Sequence, residues 1–447
     1  MKVYKNKSDC SGCSACFSIC PVNAITMAAD SEGFLYPEVD DTKCVSCNRC
    51  LSVCPIKIHH IERDKQNSLP HIGIINLQNT SNYGASIAAA VLEMNVRDIS
   101  GSKYVVETID YNGKYRGNII NKVLDYVEQN NGWINCFKGA YRRLFKEDKA
   151  LSSDLRNIRK ERFASFNEKF LNRTIEYNDA ADINSDKNNY AFIVGSDVVW
   201  HPKRVTNFRS EAYFLKFAGK DTRKISYAAS VDIKSDYLNN YKSTYSDGLK
   251  NIDYISVREK DTSDYLSELT DNNISVECDP AFLFTSEQYN EMIEFSSEKP
   301  DEDYIYLYLL DRNDFLIEYA KKLSKEKGLK LYYFTPKYPA FDENSHNCLS
   351  DGPAEFLMRV KNSRYILSNS FHCIVFSLIF EKKFLSFDRS KSSIKGYNLL
   401  SQFNLTERIV NSDSVIDIDK PIDFDSVRQK ISEMRNDGLQ FLKNSLQ

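Results

Sequence analysis

The chain has 447 residues, of which 42% are hydrophobic and 27% are charged, a balance typical of globular proteins with several hydrophobic cores. Its formal net charge of −3 does not suggest a nucleic-acid binder, and we expect no nucleic-acid partner. No apolar run is long enough to cross a bilayer, and the residues before Cys10 lack the apolar stretch of a secretory signal, so we expect a cytoplasmic protein.

Eight of the twelve cysteines form two copies of one spaced motif at the start of the chain. Each copy reads C-x2-C-x2-C-x3-C-P, with cysteines at Cys10, Cys13, Cys16 and Cys20, and again at Cys44, Cys47, Cys50 and Cys54. In bacterial ferredoxins with this spacing, three thiolates bind one iron–sulfur cubane and the fourth binds the other. The motif therefore predicts two [4Fe–4S] clusters, bound by Cys10, Cys13, Cys16 and Cys54, and by Cys44, Cys47, Cys50 and Cys20.

Two structural zinc sites are the alternative explanation of these cysteines. The doubled spacing and the two trailing prolines favour clusters, and the module resembles bacterial two-cluster ferredoxins. We expect a small α+β ferredoxin domain at residues 1–64, followed by a polar linker that ends at Pro70. Thiolate-bound clusters need reducing conditions, which also favours the cytoplasm.

In the rest of the chain, short apolar runs alternate with amphipathic stretches of helical length. The runs begin at His71, Tyr104, Tyr190, Lys224, Ile252, Tyr304, Leu329, Arg364 and Lys383. Strands that alternate with helices predict parallel sheets of the doubly wound type, and the chain is too long for one such sheet. We therefore expect two Rossmann-like domains, at 70–290 and at 300–447, the second with a C-terminal helix.

Several residues at the carboxyl ends of predicted strands carry side chains suited to binding or catalysis, because ligands of open α/β sheets bind there. They are Asn82, Tyr83, Gly84, Asp197, Arg258, Ser370 and His372. Each could also be structural: Gly84 could simply begin a helix, and Asp197 could be a helix N-cap. Arg258 could form a surface ion pair with Glu259, and His372 could cap or pack a helix.

The order of the motifs in this region resembles the polysaccharide pyruvyl transferase family. The matching segments lie at 82–85, 195–200, 227–230, 256–259, 278–284 and 368–380. The resemblance implies a fold similar to that of two-Rossmann glycosyltransferases, with the site in the cleft between the domains. It also implies transfer of the enolpyruvyl group of phosphoenolpyruvate to two hydroxyls of a sugar in a cell-surface polysaccharide precursor, giving a pyruvate ketal.

The resemblance also suggests roles for the candidate residues. Arg258 would bind one anionic group of phosphoenolpyruvate, and the helix N-terminus after Ser370 would bind the other. His372 would protonate the methylene carbon as a general acid, and Asp197 would orient or deprotonate a sugar hydroxyl. Asn82, Tyr83, Gly84 and Ser370 are the candidate ligand-binding residues.

Two positions differ from the family pattern Asp-Ser-Phe-His-Gly. Asn369 replaces the acid and Cys373 replaces the glycine. Asn369 cannot act as a carboxylate base, and the side chain of Cys373 hinders a close approach of ligand to the backbone.

Ketal transfer moves no net electrons, so it gives the predicted clusters no role. An alternative is a redox enzyme that uses cluster electrons on a glycan substituent. Another is an electron-transfer protein whose α/β part docks a redox partner.

A basic, aromatic segment at 133–146 predicts an amphipathic helix. Trp133 and Phe137 lie on its apolar face, with Arg142 and Arg143 beside them. Such a helix can lie on an anionic membrane, which would bring the enzyme to the inner face of the membrane and to a lipid-linked acceptor. A helix that packs on the first Rossmann-like domain is the alternative.

Overall fold

The computed structural model describes most of the chain. The described residues are 10–40, 42–44, 50, 53–54, 69–77, 81–113, 153–184, 188–202, 204–205, 209–233, 238–300, 302–311, 313–335, 341, 345–387, 393–411 and 417–447. They form two compact units, Met1–Pro70 and His71–Gln447. The amphipathic segment predicted at 133–146 lies outside the described residues.

The first unit is small and mixed. It contains a short helix, α1 (Ala15–Ser18), and two antiparallel strands, β1 (Ile25–Ala29) and β2 (Leu35–Val39). Between the strands, Asp30 Oδ1 accepts hydrogen bonds from the backbone N–H groups of residues 32 and 34, which closes the turn. Cys16 and Ile25 form the buried core of this α+β unit.

The second unit begins with a parallel sheet of seven strands. They are β3 (His71–Ile75), β4 (Val105–Tyr111), β5 (Arg173–Tyr177), β6 (Asn189–Val194), β7 (Arg223–Ala229), β8 (Tyr254–Val257) and β9 (Ile274–Val276). Their spatial order is β5-β4-β3-β6-β7-β8-β9, so the strand order reverses between β3 and β6. This is the Rossmann arrangement, and it opens a crevice at the carboxyl ends of β3 and β6.

A second parallel sheet of six strands follows. They are β10 (Tyr304–Tyr308), β11 (Lys330–Phe334), β12 (Ser345–Asn347), β13 (Tyr365–Ser368), β14 (Lys383–Phe387) and β15 (Ile409–Val410). The order β12-β11-β10-β13-β14-β15 reverses between β10 and β13. The chain therefore has two Rossmann-like domains, as predicted, preceded by the small α+β unit.

The helices of the second unit connect the strands and cover the sheets. They are α2 (Tyr83–Ser100), α3 (Ser153–Phe170), α4 (Arg209–Tyr213), α5 (Lys242–Leu249), α6 (Lys260–Ser267), α7 (Asn290–Glu294), α8 (Asp314–Lys327), α9 (Pro353–Asn362), α10 (Phe371–Ile379), α11 (Ser393–Ser401) and α12 (Phe424–Leu446). Asparagine side chains cap two of them: Asn82 accepts from the Ala85 N–H, and Asn313 from the Leu316 N–H. In the described residues, no helix is both long and apolar enough to span a bilayer.

Helix α12 follows the second sheet in sequence but packs on the first half of the unit, which is the half that contains the seven-stranded sheet. Tyr190 donates to the Leu446 carbonyl over 2.7 Å, and Nε of Arg435 donates to the Phe282 carbonyl over 3.0 Å. The division into domains at 70–290 and 300–447 stays a prediction. Helix α12 lies in the second range by sequence but packs against residues of the first range.

Candidate functional site

A cavity of about 390 Å³ lies between the carboxyl ends of the two parallel sheets. Leu77 and Asp197 line it after β3 and β6, and Leu310 and Asn369 line it after β10 and β13. The points at which the strand order reverses in the two sheets therefore face the same cavity. Ligands of doubly wound sheets bind at such points.

Asp279, which is buried, joins the two halves of the site. Its Oδ2 atom accepts a hydrogen bond from Nη1 of Arg258 over 2.7 Å and lies 3.4 Å from Nε2 of His372. Its Oδ1 atom accepts from the Ala281 N–H over 3.0 Å. Burial opposes the charge of Asp279, but His372 and Arg258 hold the pKa of this carboxyl well below its usual range. An ionised carboxylate therefore joins Arg258, which follows strand β8, to His372 on helix α10.

Arg258 is surrounded by acidic groups and is itself buried. Its Nε donates to Oε1 of Glu259 over 2.8 Å, and Nη1 lies 3.8 Å from Oδ1 of Asp197. Burial works against the charge, but Glu259, Asp279 and Asp197 raise the pKa of Arg258, so it stays a cation. Because Arg258 and Glu259 are both buried, their pair is not a surface ion pair. Within the described residues, Nη2 of Arg258 makes no hydrogen bond.

His372 occupies the second position of helix α10, while Ser370 is the N-cap residue. The ring packs against helix α2: a Cβ atom built on Gly84 would lie 2.2 Å from Nδ1. Gly84 therefore makes room for the imidazole, in addition to beginning a helix. His372 also lines the cavity, so its ring lies between Gly84, Asp279 and any bound ligand.

Asp197 has a left-handed backbone, with φ of 63°. No helix begins within residues 195–202, so Asp197 is not a helix N-cap. A bridge to Ala229 and the hydrogen bond from the Ser230 N–H to its carbonyl hold this conformation. A non-glycine residue in this region is uncommon and is often found at functional sites. Asp197 lines the cavity beside Arg258.

The other candidate ligand-binding residues divide into two groups. Asn82 and Ser370 line the cavity. Tyr83 does not: it is fully buried among aromatic side chains, stacked on Phe163 and Phe356. Its hydroxyl donates to the Asp351 carbonyl over 2.9 Å. In this structure Tyr83 is therefore a packing residue between the two halves of the unit.

The two departures from the family pattern also have structural explanations. Asn369 accepts from the Leu310 N–H over 2.9 Å and donates from Nδ2 to the Asp311 carbonyl over 3.0 Å. An ionised aspartate could make the first bond but not the second. Cys373 is fully buried and does not line the cavity.

Sequence reasoning missed two charged residues of the site. It gave no role to Asp279, although this residue lies in the segment 278–284 that resembles the family. It also missed Lys395, on α11, which lines the cavity and donates from Nζ to Ser230 Oγ over 2.8 Å. Lys395 follows no predicted strand and belongs to no motif, so the sequence offered no signal for it.

In the first unit, the described cysteines suit iron–sulfur ligands. Burial raises the pKa of the Cys16 thiol, and Cys10 and Cys13 raise it further. The Ala24 N–H donates a hydrogen bond to Sγ of Cys20 over 3.2 Å. In the described part of the chain, no three His, Cys, Asp or Glu side chains come together in a way that could hold a single metal ion. Cys47 lies outside the described residues. In a cubane each thiolate binds a different iron, so the cysteines surround a cluster and need not converge on one ion.

Two family models match the sequence. One is described as polysaccharide pyruvyl transferase and matches residues 137–391, more than half of the chain. The other is described as a 4Fe-4S dicluster domain and matches residues 9–58. No curated protein matches the chain significantly by sequence.

Solved structures resemble the chain at low identity. One is UDP-GlcNAc 2-epimerase from Neisseria meningitidis bound to UDP-GlcNAc, with a TM-score of 0.43 and 10% identity, over 84% of this chain and 94% of that chain. Another is UDP-GlcNAc 2-epimerase from Methanocaldococcus jannaschii, with a TM-score of 0.43 and 11% identity, over 82% and 93%.

Proposed function

The chain belongs to the polysaccharide pyruvyl transferase family, and we propose that it forms a pyruvate ketal on a sugar of an exopolysaccharide or other cell-surface polysaccharide precursor, with phosphoenolpyruvate as the donor. Arg258 and His372 support this function most directly. Arg258 follows a strand of the first sheet, and His372 lies on helix α10 of the second Rossmann-like domain. They meet on the buried carboxylate of Asp279, and both line the cavity.

The donor carries two anionic groups, a carboxylate and a phosphate. Arg258 offers a guanidinium whose Nη2 makes no hydrogen bond to any described residue, which suits an oxygen of the donor. The N-terminus of helix α10, after Ser370, offers backbone N–H groups and the positive end of the helix dipole to an anion. Both features border the same cavity.

Ketal formation needs one proton on carbon and two new carbon–oxygen bonds. His372 donates a proton to the methylene carbon, which leaves an oxocarbenium-like centre at the neighbouring carbon. One sugar hydroxyl attacks that centre and loses its proton to Asp197 or to water. The bond to the phosphate oxygen then breaks and phosphate leaves with the electron pair. The second hydroxyl attacks the same carbon, gives up its proton to the departing phosphate, and closes the ring. Asp279, whose Oδ2 lies 3.4 Å from Nε2 of His372, keeps the imidazole in place for this transfer.

The first unit is a [4Fe–4S] domain by its family match, and we propose that it holds two clusters. Such clusters transfer single electrons when bound. Ketal formation consumes none, so the alternative function is a redox reaction on a glycan substituent, or electron transfer to a partner protein. A reducing compartment such as the cytoplasm suits the cysteine thiolates.

The acceptor could be a lipid-linked sugar at the inner face of the membrane. This idea depends on the basic, aromatic segment at 133–146, which lies outside the described residues. Co-sedimentation with anionic vesicles that weakens as salt is added would support membrane contact. It should be lost when Arg142 and Arg143 are both replaced by glutamate.

An assay with and without reductant distinguishes the functions. Protein purified anaerobically is incubated with phosphoenolpyruvate and candidate glycans, and released phosphate and pyruvylated sugar are measured. Equal turnover in both conditions supports the transferase. Turnover only with reductant supports the redox enzyme, and no turnover in either condition leaves electron transfer to a partner.

A further inference from the structure

Within the proposed function, on which this inference rests, we propose that Lys395 binds the phosphate group of the donor. Lys395 is contributed by helix α11, from the second half of the unit, and reaches the carboxyl end of strand β7 in the first half. There its Nζ atom donates to Ser230 Oγ over 2.8 Å. The side chain is 21% exposed and lines the cavity.

Lys395 and Arg258 differ in how their charges are compensated. Arg258 donates hydrogen bonds to two carboxylates, those of Asp279 and Glu259. Lys395 donates to a neutral hydroxyl, and its ion-pair partner, Oε1 of Glu259, is 3.8 Å away, beyond hydrogen-bond range. A largely buried ammonium without a close counter-ion is costly, and an anionic ligand would remove that cost.

The two cations also lie where the two anionic groups of one donor molecule would need them. Oε1 of Glu259 is 2.8 Å from Nε of Arg258 and 3.8 Å from Nζ of Lys395, so both cations border one carboxylate oxygen. In phosphoenolpyruvate the carboxylate and the phosphate oxygen are attached to the same carbon. Nη2 of Arg258, which makes no hydrogen bond to a described residue, suits one carboxylate oxygen. The point charge of Lys395 suits the phosphate, together with the N-terminus of helix α10, which borders the same cavity.

This arrangement has a consequence for the departing phosphate. When its bond to carbon breaks, the electron pair stays on the phosphate oxygen, and the ammonium beside it stabilises that charge. Lys395 therefore acts on both donor binding and phosphate departure.

Proton uptake gives a second readout. Burial lowers the pKa of Lys395, and Arg258 lowers it too, whereas Glu259, Asp197 and Asp232 raise it. A bound phosphate dianion would raise this pKa, so at a pH high enough to remove part of the Lys395 proton in the free protein, phosphate binding should be accompanied by proton uptake. Calorimetry in buffers of different ionisation enthalpy measures that proton.

The test uses the full chain and three probes: inorganic phosphate, pyruvate and phosphoenolpyruvate. Lys395→Met should weaken the binding of phosphate and phosphoenolpyruvate about tenfold or more, as expected for a lost charged hydrogen bond. It should leave pyruvate binding unchanged and abolish the proton uptake. Lys395→Arg keeps the charge and should retain most of the affinity.

Lys327→Met is the matched control. Lys327 pairs with Asp419, which also accepts from the Tyr365 hydroxyl at the start of strand β13, the end of that strand away from the cavity. Lys327 does not line the cavity. This variant should bind all three probes like the wild type.

Unchanged phosphate affinity in Lys395→Met overturns the inference, and so does an equal loss for pyruvate, which would indicate a collapsed cavity. A wild-type protein that binds neither phosphate nor phosphoenolpyruvate also overturns it. If phosphate binding depends on Lys395 but no sugar is pyruvylated, the phosphate site stands and the proposed function fails. If transfer proceeds with an unchanged KM for phosphoenolpyruvate in Lys395→Met, the function stands and the phosphate site fails.

Discussion

A Cβ atom on Gly84 would lie 2.0 Å from Cγ of the His372 ring, so helices α2 and α10 meet at a point where only glycine fits. The two residues are 288 positions apart in the chain and lie on helices of different Rossmann-like domains. Their contact fixes the position of the imidazole relative to the first half of the unit.

The first prediction concerns this contact. Gly84→Ala should lower pyruvyl transfer about 100-fold, the loss expected when a catalytic group moves by about 1 Å. By helix propensity alone the same change would stabilise α2 by about 1 kcal/mol, so a lower melting temperature would have to come from the clash. Gly219→Ala is the control, because the nearest atom to its Cβ would be Thr222 Oγ1 at 3.6 Å. Full activity in Gly84→Ala would show that the ring can move without harm.

The second prediction concerns the proposed acid and anion clamp. His372→Ala and Arg258→Ala should each lower transfer by a factor of at least about 100. Arg258→Ala also leaves Asp279 buried without its hydrogen-bonded cation and should cost about 3 to 5 kcal/mol of unfolding free energy. Arg258→Lys, which keeps a positive charge, separates the loss of transfer activity from the loss of unfolding free energy. Wild-type turnover in a folded variant would remove that residue from the mechanism.

The third prediction tests whether Tyr83 binds ligand. Its hydroxyl is buried and bonded to the Asp351 carbonyl, and Arg159 donates to it. Tyr83→Phe should therefore lower the unfolding free energy by about 1 kcal/mol and leave the KM for phosphoenolpyruvate unchanged. A large rise in KM without loss of stability would return Tyr83 to the donor site.

The fourth prediction is a pH dependence of stability. Burial, and then the nearby Asp437, raise the pKa of Glu277 from 4.5 to about 7. No described residue hydrogen-bonds to its Oε2. The folded state therefore holds a proton that the unfolded state releases between pH 4.5 and about 7, so this group makes the protein less stable as pH rises through that window. The loss should reach about 3 kcal/mol.

Urea denaturation at pH 5 and at pH 8 measures this effect. Glu277→Gln should remove the part of the loss that comes from Glu277, and Asp437→Asn should remove some of that part. Burial raises the pKa of Asp351 to about 7 as well, so a loss from Asp351 should remain in both variants. Glu268→Gln, at an exposed position, should leave the profile unchanged. A stability that is the same at both pH values in the wild type would contradict the prediction.

The fifth prediction concerns the clusters. Anaerobically purified protein should contain about eight irons and eight acid-labile sulfides per chain. Cys20→Ser should damage the cluster bound by Cys44, Cys47 and Cys50, and Cys54→Ser the other one, as followed by electron paramagnetic resonance. Zinc without sulfide would show structural metal sites instead. Damage confined to each cysteine's own run would refute the crossed ligand assignment.

The sequence was sufficient to predict every interior strand of both sheets. Those strands are buried on both faces and read as continuous apolar runs. The strands it did not predict are β5, β9, β12 and β15, and all four lie at sheet edges. An edge strand has one neighbour and exposes more of its side chains, as in β5, so its apolar pattern is weak.

The site was partly predictable for a related reason. Asp197, Arg258 and His372 could be selected because each follows or ends a recognisable strand. That they share Asp279 could not, because this depends on how the two sheets pack. Tyr83 shows the converse. It belongs to a motif and follows the cavity-lining Asn82 in sequence, but in the structure its side chain points into an aromatic core.

The packing of helix α12 has a consequence for synthesis of the protein. Residues 424–446 are made after every described strand, yet they cover the half of the unit that the ribosome releases first. The apolar surface beneath α12 therefore stays open to water while the second sheet is translated. A nascent chain in this state exposes an apolar surface that chaperones bind. The final docking of α12 brings together residues that are far apart in sequence, which makes this step slow.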